Sequence, residues 1–451
     1  MDSELIRKYN VAGPRYTSYP TVPYWDNSPS VENWLELMND TFISSNAQGI
    51  SLYIHLPFCE SLCTYCGCNT RITVNHAVEI PYIQTVLKEW RMYLDHLPHR
   101  PKIREIHLGG GTPTFFKPEN LKLLIDGILQ DSDLAEKFEL GFEGHPNYTS
   151  EEQLQTLYDL GFRRVSFGVQ DFDPKVQHII NRLQTVEQVK AVTLWARSIG
   201  YTSVNYDLIY GLPLQTSDSI KNTIEEVRKL LPDRIAFYSY AHVPWVKPGQ
   251  RRFTEQDLPS GEDKRNLYEN GRTLLEEAGY LEIGMDHFAL KTDALFEAYS
   301  SKNLHRNFMG YTTNDTKLLI GLGVSSISDS WTCFVQNVKV VEQYVKLVEE
   351  GKFPILKGHV LSDEDLVIRK HILEIMCNFE TSWTDNNTFQ KTLATSVVRL
   401  KELESDGLLE IFDDKIIVTE KGRSFVRNIC MAFDKRLWKK QPESVIFSST
   451  V

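Results

Sequence analysis

The feature that most constrains the fold is a regular alternation of apolar, β-prone segments with helical segments between residues 50 and 240. Helices are predicted at Ala77–Leu94, Glu151–Leu160, Thr185–Ile199 and Ser217–Leu230. The predicted strands are Leu52–Leu56, Glu105–Leu108, Phe138–Phe142, Arg164–Val169, Ser203–Ile209 and Asp233–Tyr240. A helix between two strands returns the chain to the same end of the sheet, so six parallel strands are expected. Right-handed crossovers then favour an α/β fold, either a doubly wound sheet or a barrel.

Each predicted strand is followed by chemically distinctive residues. Parallel α/β sheets place their sites at the carboxyl ends of the strands, so these residues are expected to line one site. They are Tyr53 and His55, Gly109–Thr114, Glu143, Gln170-Asp171, Asp207, and Ala241-His242. Taken singly, each has an ordinary explanation: a triple glycine can be only a tight turn, and a loop carboxylate more often caps a helix.

The cysteine spacing favours the functional interpretation of these strand ends. Four of the seven cysteines, Cys59, Cys63, Cys66 and Cys68, fall within ten residues as C-x3-C-x2-C-x-C. Three thiolates on one loop can hold three irons of a [4Fe–4S] cluster and leave the fourth iron open to a small molecule. A structural zinc site is the alternative, but zinc usually draws cysteine pairs from separated segments or includes histidine. The isolated Cys333, Cys377 and Cys430 are expected to be core thiols.

Composition and charge limit the function classes. A chain of 451 residues suggests two or three domains, and a net charge of −11 argues against nucleic-acid binding. No apolar run approaches the roughly 18 residues of a membrane span, and the start lacks the pattern of a secretory signal. Clustered thiols without an export signal predict a cytoplasmic protein.

Both ends of the chain predict additional parts around the α/β unit. Residues 1–45 form an N-terminal arm, which either packs on the surface or reaches a pocket and presents Arg15 to an anion. Residues 46–357 form the catalytic domain. Residues 358–451 show a helix, helix, hairpin, helix pattern that resembles a winged helix. In an acidic, enzyme-like chain this C-terminal domain is interpreted as a lid or docking domain, since fold does not fix function.

The cysteine motif, His55, the Gly109–Thr114 turn and the six β/α units resemble the radical S-adenosylmethionine (SAM) superfamily. Within it, the chain is similar to the oxygen-independent coproporphyrinogen III oxidases nearly from end to end. The matching segments are Pro14–Thr21, Cys68, Gly168–Phe172, Asp207–Pro213, Gly284–Ala289, His305–Phe308 and Arg427–Cys430. The arm and Cys68 separate it from the related heme-chaperone branch, which lacks the arm. Met309 departs from the family, which commonly has glutamine there.

The resemblance implies a radical SAM partial (β/α)6 barrel that holds one [4Fe–4S] cluster and two SAM molecules. Cys59, Cys63 and Cys66 would be the cluster ligands, while the role of Cys68 is open. The SAM on the cluster would contact Tyr53, Gly110, Glu143, Ala241 and Ile327. The second SAM would contact Tyr65, Gly111, Thr112, Gln170, Arg182 and Asp207. Arg15, Arg182 and Arg306 are the candidates for binding substrate carboxylates.

The implied reaction is the oxidative decarboxylation of two propionates of coproporphyrinogen III to vinyl groups, which gives protoporphyrinogen IX in heme biosynthesis. A 5′-deoxyadenosyl radical from reductive SAM cleavage would start it. A monomer is expected, served by a reductant protein and an electron acceptor that the sequence does not identify. The alternatives are a heme chaperone on the same scaffold, a radical SAM enzyme that opens the porphyrin ring by methyl transfer, and a zinc-structured winged-helix regulator.

Overall fold

The computed structural model describes residues 3–383, 386–439 and 447–450, without the side chains of 3 and 386–394. Residues 1–2 of the predicted arm lie outside the described residues. Residues 384–385, 440–446 and 451 of the predicted C-terminal domain also lie outside them. In the described part of the chain, no helix is both long enough and apolar enough to cross a membrane.

All six predicted strands are present and parallel, and they lie side by side in chain order. Their bounds are Ile50–Leu56, Lys102–Gly110, Asp133–Gly144, Arg164–Gln170, Ser203–Tyr210 and Arg234–Ser239. Most of their residues are buried, as expected for strands covered on both faces.

The helices that connect these strands pack against one another in sequence and form a single outer layer. A doubly wound sheet would divide them between two faces, so this arrangement is a partial barrel. The main helices are Glu79–Leu94, Pro118–Leu129, Glu151–Asp159, Val186–Ile199, Ser217–Leu230 and Gly261–Glu277. Three of them start at capping boxes, with Ser150, Thr185 and Thr216 at the first position, which explains why their starts were predictable.

The sheet extends well beyond the six predicted strands, to twelve in the described part of the chain. Leu319–Leu322 pairs in parallel with the first strand, and the remaining strands at both edges pair antiparallel. The antiparallel strands are Leu281–Gly284, His287–Ala289, Ile327–Asp329, Cys333–Asn337 and Ile355–Val360. These added strands are three to six residues long, too short for a clear periodic signal.

The predicted arm contains two different structures. Helix Ser3–Tyr9 and the irregular segment after it lie against the C-terminal part of the chain: the Arg427 guanidinium donates to the Pro14 carbonyl at 3.0 Å. Helix Val31–Ser45 instead packs on the sheet, with Trp34, Met38 and Phe42 fully buried. The second helix therefore belongs to the core of the barrel.

The C-terminal part contains the predicted hairpin, formed by Leu409–Ile411 and Lys415–Val418. A third strand, Glu380–Ser382, pairs with the hairpin on its other side. The helices here are Asp363–Asn378, Asn386–Ser405, Glu420–Arg423, Val426–Phe433 and Lys435–Lys439. The predicted boundary between residues 357 and 358 falls inside strand Ile355–Val360, which belongs to the large sheet. We therefore propose that the C-terminal domain begins after Val360.

The remaining helices are Pro174–Ile179, Ala294–Ser300 and Val341–Glu349, and a separate short hairpin joins His305–Asn307 to Gly310–Thr312. Phe58–Cys59 and Arg71–Ile72 form a small parallel pair at the two ends of the cysteine loop. The Thr73 amide donates to the Cys59 carbonyl at 2.9 Å. This pairing closes the loop over the carboxyl ends of the barrel strands.

Candidate active site

A cavity at the carboxyl ends of the parallel strands contains most of the residues predicted for the site. One wall is the cysteine loop and the other walls come from the strand ends. The predicted residues that line it are Cys59, Cys63, Tyr65, Cys66, Gly110, Gly111, Thr112, Glu143, Gln170, Arg182 and Asp207. Residues separated by up to 148 positions are therefore brought to one place by the parallel topology.

All four cysteines of the loop line this cavity; Cys59, Cys63 and Cys66 are half-buried, whereas Cys68 is exposed. Burial raises the pKa of the Cys59 thiol to about 11, while the hydrogen bond from Cys68 lowers the pKa of Cys66 to about 6. The Arg182 guanidinium lies 3.6 Å from the Cys63 sulfur, and the Thr112 hydroxyl lies 3.3 Å from the Cys59 sulfur. A cation and a hydroxyl beside soft sulfur donors suit an anionic iron–sulfur centre.

The cysteine donor set fits an iron–sulfur cluster. Within residues 3–383, 386–439 and 447–450, no group of three or more His, Cys, Asp or Glu side chains is arranged to hold a metal ion. Cys59, Cys63 and Cys66 come from one loop and line the same cavity, as the thiolate ligands of a cluster would. Cys59, Cys63 and Cys66 would hold a [4Fe–4S] cluster here.

The glycine turn after the second strand gives the cavity a backbone wall. Gly110 has a positive φ of 117°, a conformation that other residues rarely adopt. A Cβ on Gly111 would come within 2.6 Å of the Pro57 carbonyl. Both positions therefore require glycine, and the backbone of the turn can approach a ligand without a side chain in the way. The Gly110 amide itself donates to Glu143, and the Gly111 amide donates to the Leu56 carbonyl.

Glu143 is held in place at the end of the third strand. Its carboxylate accepts hydrogen bonds from the Gly110 amide and from His107 Nε2, each at 3.3 Å. Desolvation alone would raise the pKa of Glu143, but the donors more than offset it, so its pKa lies below the ordinary value. The side chain is 43% exposed and open to the cavity. Glu143 is thus an ionised acceptor for an ammonium group or a hydroxyl.

Asp207 lies on the fifth strand and faces the same cavity. It accepts from Asn205 Nδ2 at 2.9 Å and from the Ser166 hydroxyl at 3.0 Å. Burial, followed by the charge of Glu143, raises the pKa of Asp207 to about 6. The ionised form is therefore costly in the folded protein until a ligand supplies further donors.

That raised pKa predicts a stability gain from Asp207→Asn at alkaline pH. The gain should be about 2 kcal/mol at pH 8, because the amide removes an ionised group that the fold disfavours. In the wild type, Asp207 makes its full contribution to folding stability below its ordinary pKa, where it is protonated. This contribution is lost as the pH rises through about 6. The gain should therefore vanish near pH 4. Urea unfolding of the cluster-free protein at the two pH values measures it. Glu136→Gln, on an exposed residue, is the control, and an equal gain at both pH values would contradict the assignment.

Among the residues assigned to SAM or the substrate, five are not among those that line the cavity, and the strand-end residues His55, Gly109, Thr114, Asp171 and His242 are not among them either. Tyr53 lies close to Glu143: a Cβ added to Gly109 would be 3.0 Å from each of the two side chains. Arg15 donates to the Ser239 carbonyl at 2.7 Å, at the end of the sixth strand. The others are Ala241, whose carbonyl accepts from Gln250; Ile327, on an antiparallel strand; and Arg306, which lies over the Tyr311 ring.

Sequence reasoning did not identify several residues that complete the site. His107 positions Glu143, and Ser166 and Tyr238 line the cavity. The missing signal was the period of two along each strand: residues two positions before a strand-end site residue face the same side. Counting back by twos from Gly109 and Gln170 gives His107 and Ser166, whereas Tyr238 carries no such signal.

Comparison with known proteins agrees with this geometry. The model of the radical SAM superfamily matches residues 53–227. The fold and the cysteine site therefore define a radical SAM protein.

Relatives over the whole chain identify the family. A curated oxygen-independent coproporphyrinogen III oxidase from Pseudomonas aeruginosa is 38% identical, over 97% of this chain and 96% of the relative. That of Escherichia coli is 37% identical, over 97% and 96%. The solved E. coli coproporphyrinogen III oxidase, described as a radical SAM enzyme, superposes with a TM-score of 0.89 at 35% identity, covering 96% of this chain and 98% of that one. The chain belongs to the oxygen-independent coproporphyrinogen III oxidase family.

Proposed function

We propose that this chain catalyses the oxygen-independent oxidative decarboxylation of coproporphyrinogen III to protoporphyrinogen IX in heme biosynthesis. One observation carries the proposal: three thiols of a single loop face a glycine turn and two carboxylates in one cavity. The near full-length match to curated oxidases supports the choice of substrate. The enzyme is a radical SAM oxidoreductase whose cofactors are a [4Fe–4S] cluster and SAM.

When bound, the reduced cluster and SAM supply a carbon-centred radical that removes one hydrogen atom from the β-carbon of a propionate. The propionate then loses carbon dioxide and one electron, which leaves a vinyl group, and a second propionate reacts in the same way. The substrate's electron passes to an external acceptor. The chain's own side chains are not required as acid or base in this step.

The residues of the chain bind and orient the reactants. Glu143 would accept from the ammonium group of bound SAM, and the glycine turn would let the backbone approach it without a Cβ in the way. Arg182 places a positive charge beside the Cys63 sulfur. Ile209 and Tyr238 add apolar surface to the cavity, which limits water around the reacting carbon.

A second SAM is part of the proposal. Tyr65, Gly111, Thr112, Gln170, Arg182 and Asp207, the residues assigned to it, all line the same cavity as the cysteines. In support, Asp207 has a raised pKa and therefore gains from a hydroxyl donor, such as a ribose, in its vicinity. Measurement of two 5′-deoxyadenosine molecules per product would not by itself distinguish sequential from simultaneous binding, so equilibrium dialysis with labelled SAM is the direct test.

We also propose that the enzyme is a cytoplasmic monomer that takes electrons from a reductant protein. Each of the seven cysteines lies in the described part of the chain and carries a free thiol, which suits a reducing compartment.

Anaerobic reconstitution tests the function directly. The protein is loaded with iron and sulfide, then given coproporphyrinogen III, SAM and a chemical reductant, and vinyl product and 5′-deoxyadenosine are quantified. Product formation is expected. Tight heme binding without turnover would instead indicate the heme-chaperone alternative.

Arg15→Ala is expected to lower turnover about tenfold or more, because a charge-assisted hydrogen bond to a substrate carboxylate contributes about 1.5–3 kcal/mol. Arg15 already bridges the arm to the barrel through the Ser239 carbonyl and lies 3.5 Å from Asp286. Cluster iron and substrate-free SAM cleavage should be unchanged. Arg7→Ala, at an exposed arginine of the same arm, is the control. If the Arg15 variant turned over substrate as fast as the wild-type enzyme, the arm would only pack on the surface.

A further inference from the structure

The segment Trp245–Arg252, which we call the basic ridge, follows the sixth strand, and most of its residues are exposed. Trp245 is 52% exposed and Val246 is 62% exposed, which is unusual for two consecutive large apolar residues. The ridge also carries Lys247, Arg251 and Arg252, and both arginines are exposed. Residues 241–254 contain no Asp or Glu, although the whole chain has a net charge of −11.

The ridge is hydrogen-bonded to the cysteine loop. The Lys247 ammonium donates to the Cys68 carbonyl at 2.9 Å, and Gln250 Nε2 donates to the Tyr65 carbonyl at 3.0 Å. Gln250 is almost fully buried, so it acts as an internal clamp. Leu62 extends the apolar surface onto the loop itself: it is 42% exposed, and a Cβ on Gly249 would lie 3.4 Å from its methyl group.

We propose that the basic ridge and Leu62 form the docking surface for the electron donor, a small acidic one-electron carrier protein. This proposal rests on the proposed function, because only a redox centre behind the cysteine loop needs such a partner. In the step it serves, the reduced carrier loses one electron and the oxidised cluster gains it, and no bond is made or broken. Electron transfer between proteins requires close approach, and the ridge lies directly against the loop whose cysteines would hold the cluster.

Charge complementarity selects an acidic partner. The strongly negative chain would repel an acidic carrier over much of its surface, so a local group of three cations would steer it to this face. Glu60, the acidic residue within the adjacent cysteine loop, lies 3.6 Å from His76, just before helix Glu79–Leu94. The next acidic residues along the chain after the ridge are Glu255 and Asp257. An apolar centre with a charged rim, as formed by Trp245 and Val246 beside the arginines, is typical of small transient interfaces.

The substrate is the other possible occupant, since coproporphyrinogen is itself an amphipathic polycarboxylate. The two occupants differ in one respect that can be measured. A carrier-docking surface matters only when a protein supplies the electron, whereas a substrate-docking surface matters with any reductant.

The test compares Arg251→Glu/Arg252→Glu and Trp245→Ala with the wild-type holoenzyme. The matched control is Lys190→Glu/Lys221→Glu, which makes the same change in net charge on exposed residues of two outer helices. Three quantities are measured: the Kd for an acidic flavodoxin-type carrier by biolayer interferometry, turnover with that carrier and its reductase, and turnover with titanium(III) citrate.

For the arginine double variant, the Kd for the carrier is expected to rise about tenfold or more, with a similar loss of carrier-supported turnover. Raising the salt concentration should weaken wild-type binding and reduce that difference. Trp245→Ala should weaken binding with less salt dependence. Turnover with titanium(III) citrate, the KM for coproporphyrinogen III and cluster iron should remain within about twofold of wild type.

Carrier binding that is equal in the double variant and the control would overturn the proposal. A raised KM for coproporphyrinogen III with titanium(III) citrate would assign the ridge to the substrate instead. Absence of turnover in the wild-type enzyme with titanium(III) citrate would overturn the proposed function. This result differs from equal carrier binding and from a raised KM, which concern only the ridge.

Discussion

Replacement of Cys59, Cys63 or Cys66 by serine is expected to abolish reductive cleavage of SAM. A serine hydroxyl is a poor ligand for iron, and the loss of one of three thiolates leaves the cluster with two protein ligands. Removal of a residue that only supports a metal ligand lowers metal affinity or activity about 10–100-fold. Loss of a ligand itself should therefore lower SAM cleavage by more than about a hundredfold. Iron and labile sulfide content, the visible absorption of the reconstituted protein and 5′-deoxyadenosine formation measure the effect.

Cys68→Ser provides the matched comparison within the same loop. Cys68 is exposed, and its backbone amide donates to the Cys66 sulfur at 3.4 Å. The Cys68 thiol also donates to the Cys66 sulfur and lowers the pKa of Cys66. A serine hydroxyl can donate in the same way, so we expect this variant to assemble the cluster. If a Cys59, Cys63 or Cys66 variant retained full iron content and SAM cleavage, the assignment of the three ligands would fail. If Cys68→Ser alone lost the cluster, the ligand set would need to be redrawn around Cys68.

The barrel was predictable because its strands and helices have strong local signals. Strands such as Ser203–Tyr210 are buried along nearly their entire length, and the helices that follow begin at polar caps such as Thr216. The strand bounds were less predictable: the third strand begins at Asp133, five residues before the predicted start, because its exposed first half alternates poorly. The short edge strands gain their stability from pairing with the sheet, which the local sequence does not reveal.

The site was predictable where chemistry and topology coincide. Cysteine spacing predicts the loop, and the parallel arrangement predicts that Glu143 and Asp207 belong to one site. The partners of those carboxylates were not identified, because His107 and Ser166 lie inside strands and resemble ordinary strand residues. Nor could the sequence indicate that residues 31–45, next to the irregular arm, form a core helix. That role depends on packing against distant strands such as Cys333–Asn337.

The second large effect is expected at Glu143. Glu143→Gln preserves the size of the side chain but removes its negative charge and one of its two acceptor oxygens. The Gly110 amide and His107 currently direct the carboxylate into the cavity and keep its pKa below the ordinary value. An ammonium group held by this carboxylate would lose a charge-assisted hydrogen bond of about 1.5–3 kcal/mol, so SAM affinity should fall about 10–100-fold.

Isothermal titration of the reconstituted enzyme with SAM measures this loss, and 5′-deoxyadenosine formation should fall in parallel. Because the pKa of Glu143 is lowered, its contribution to SAM binding should stay constant above about pH 5. Glu136→Gln makes the same chemical change at an exposed position of the same strand and should leave SAM affinity within about twofold. Unchanged affinity in Glu143→Gln would show that this carboxylate supports the glycine turn without contacting the cofactor.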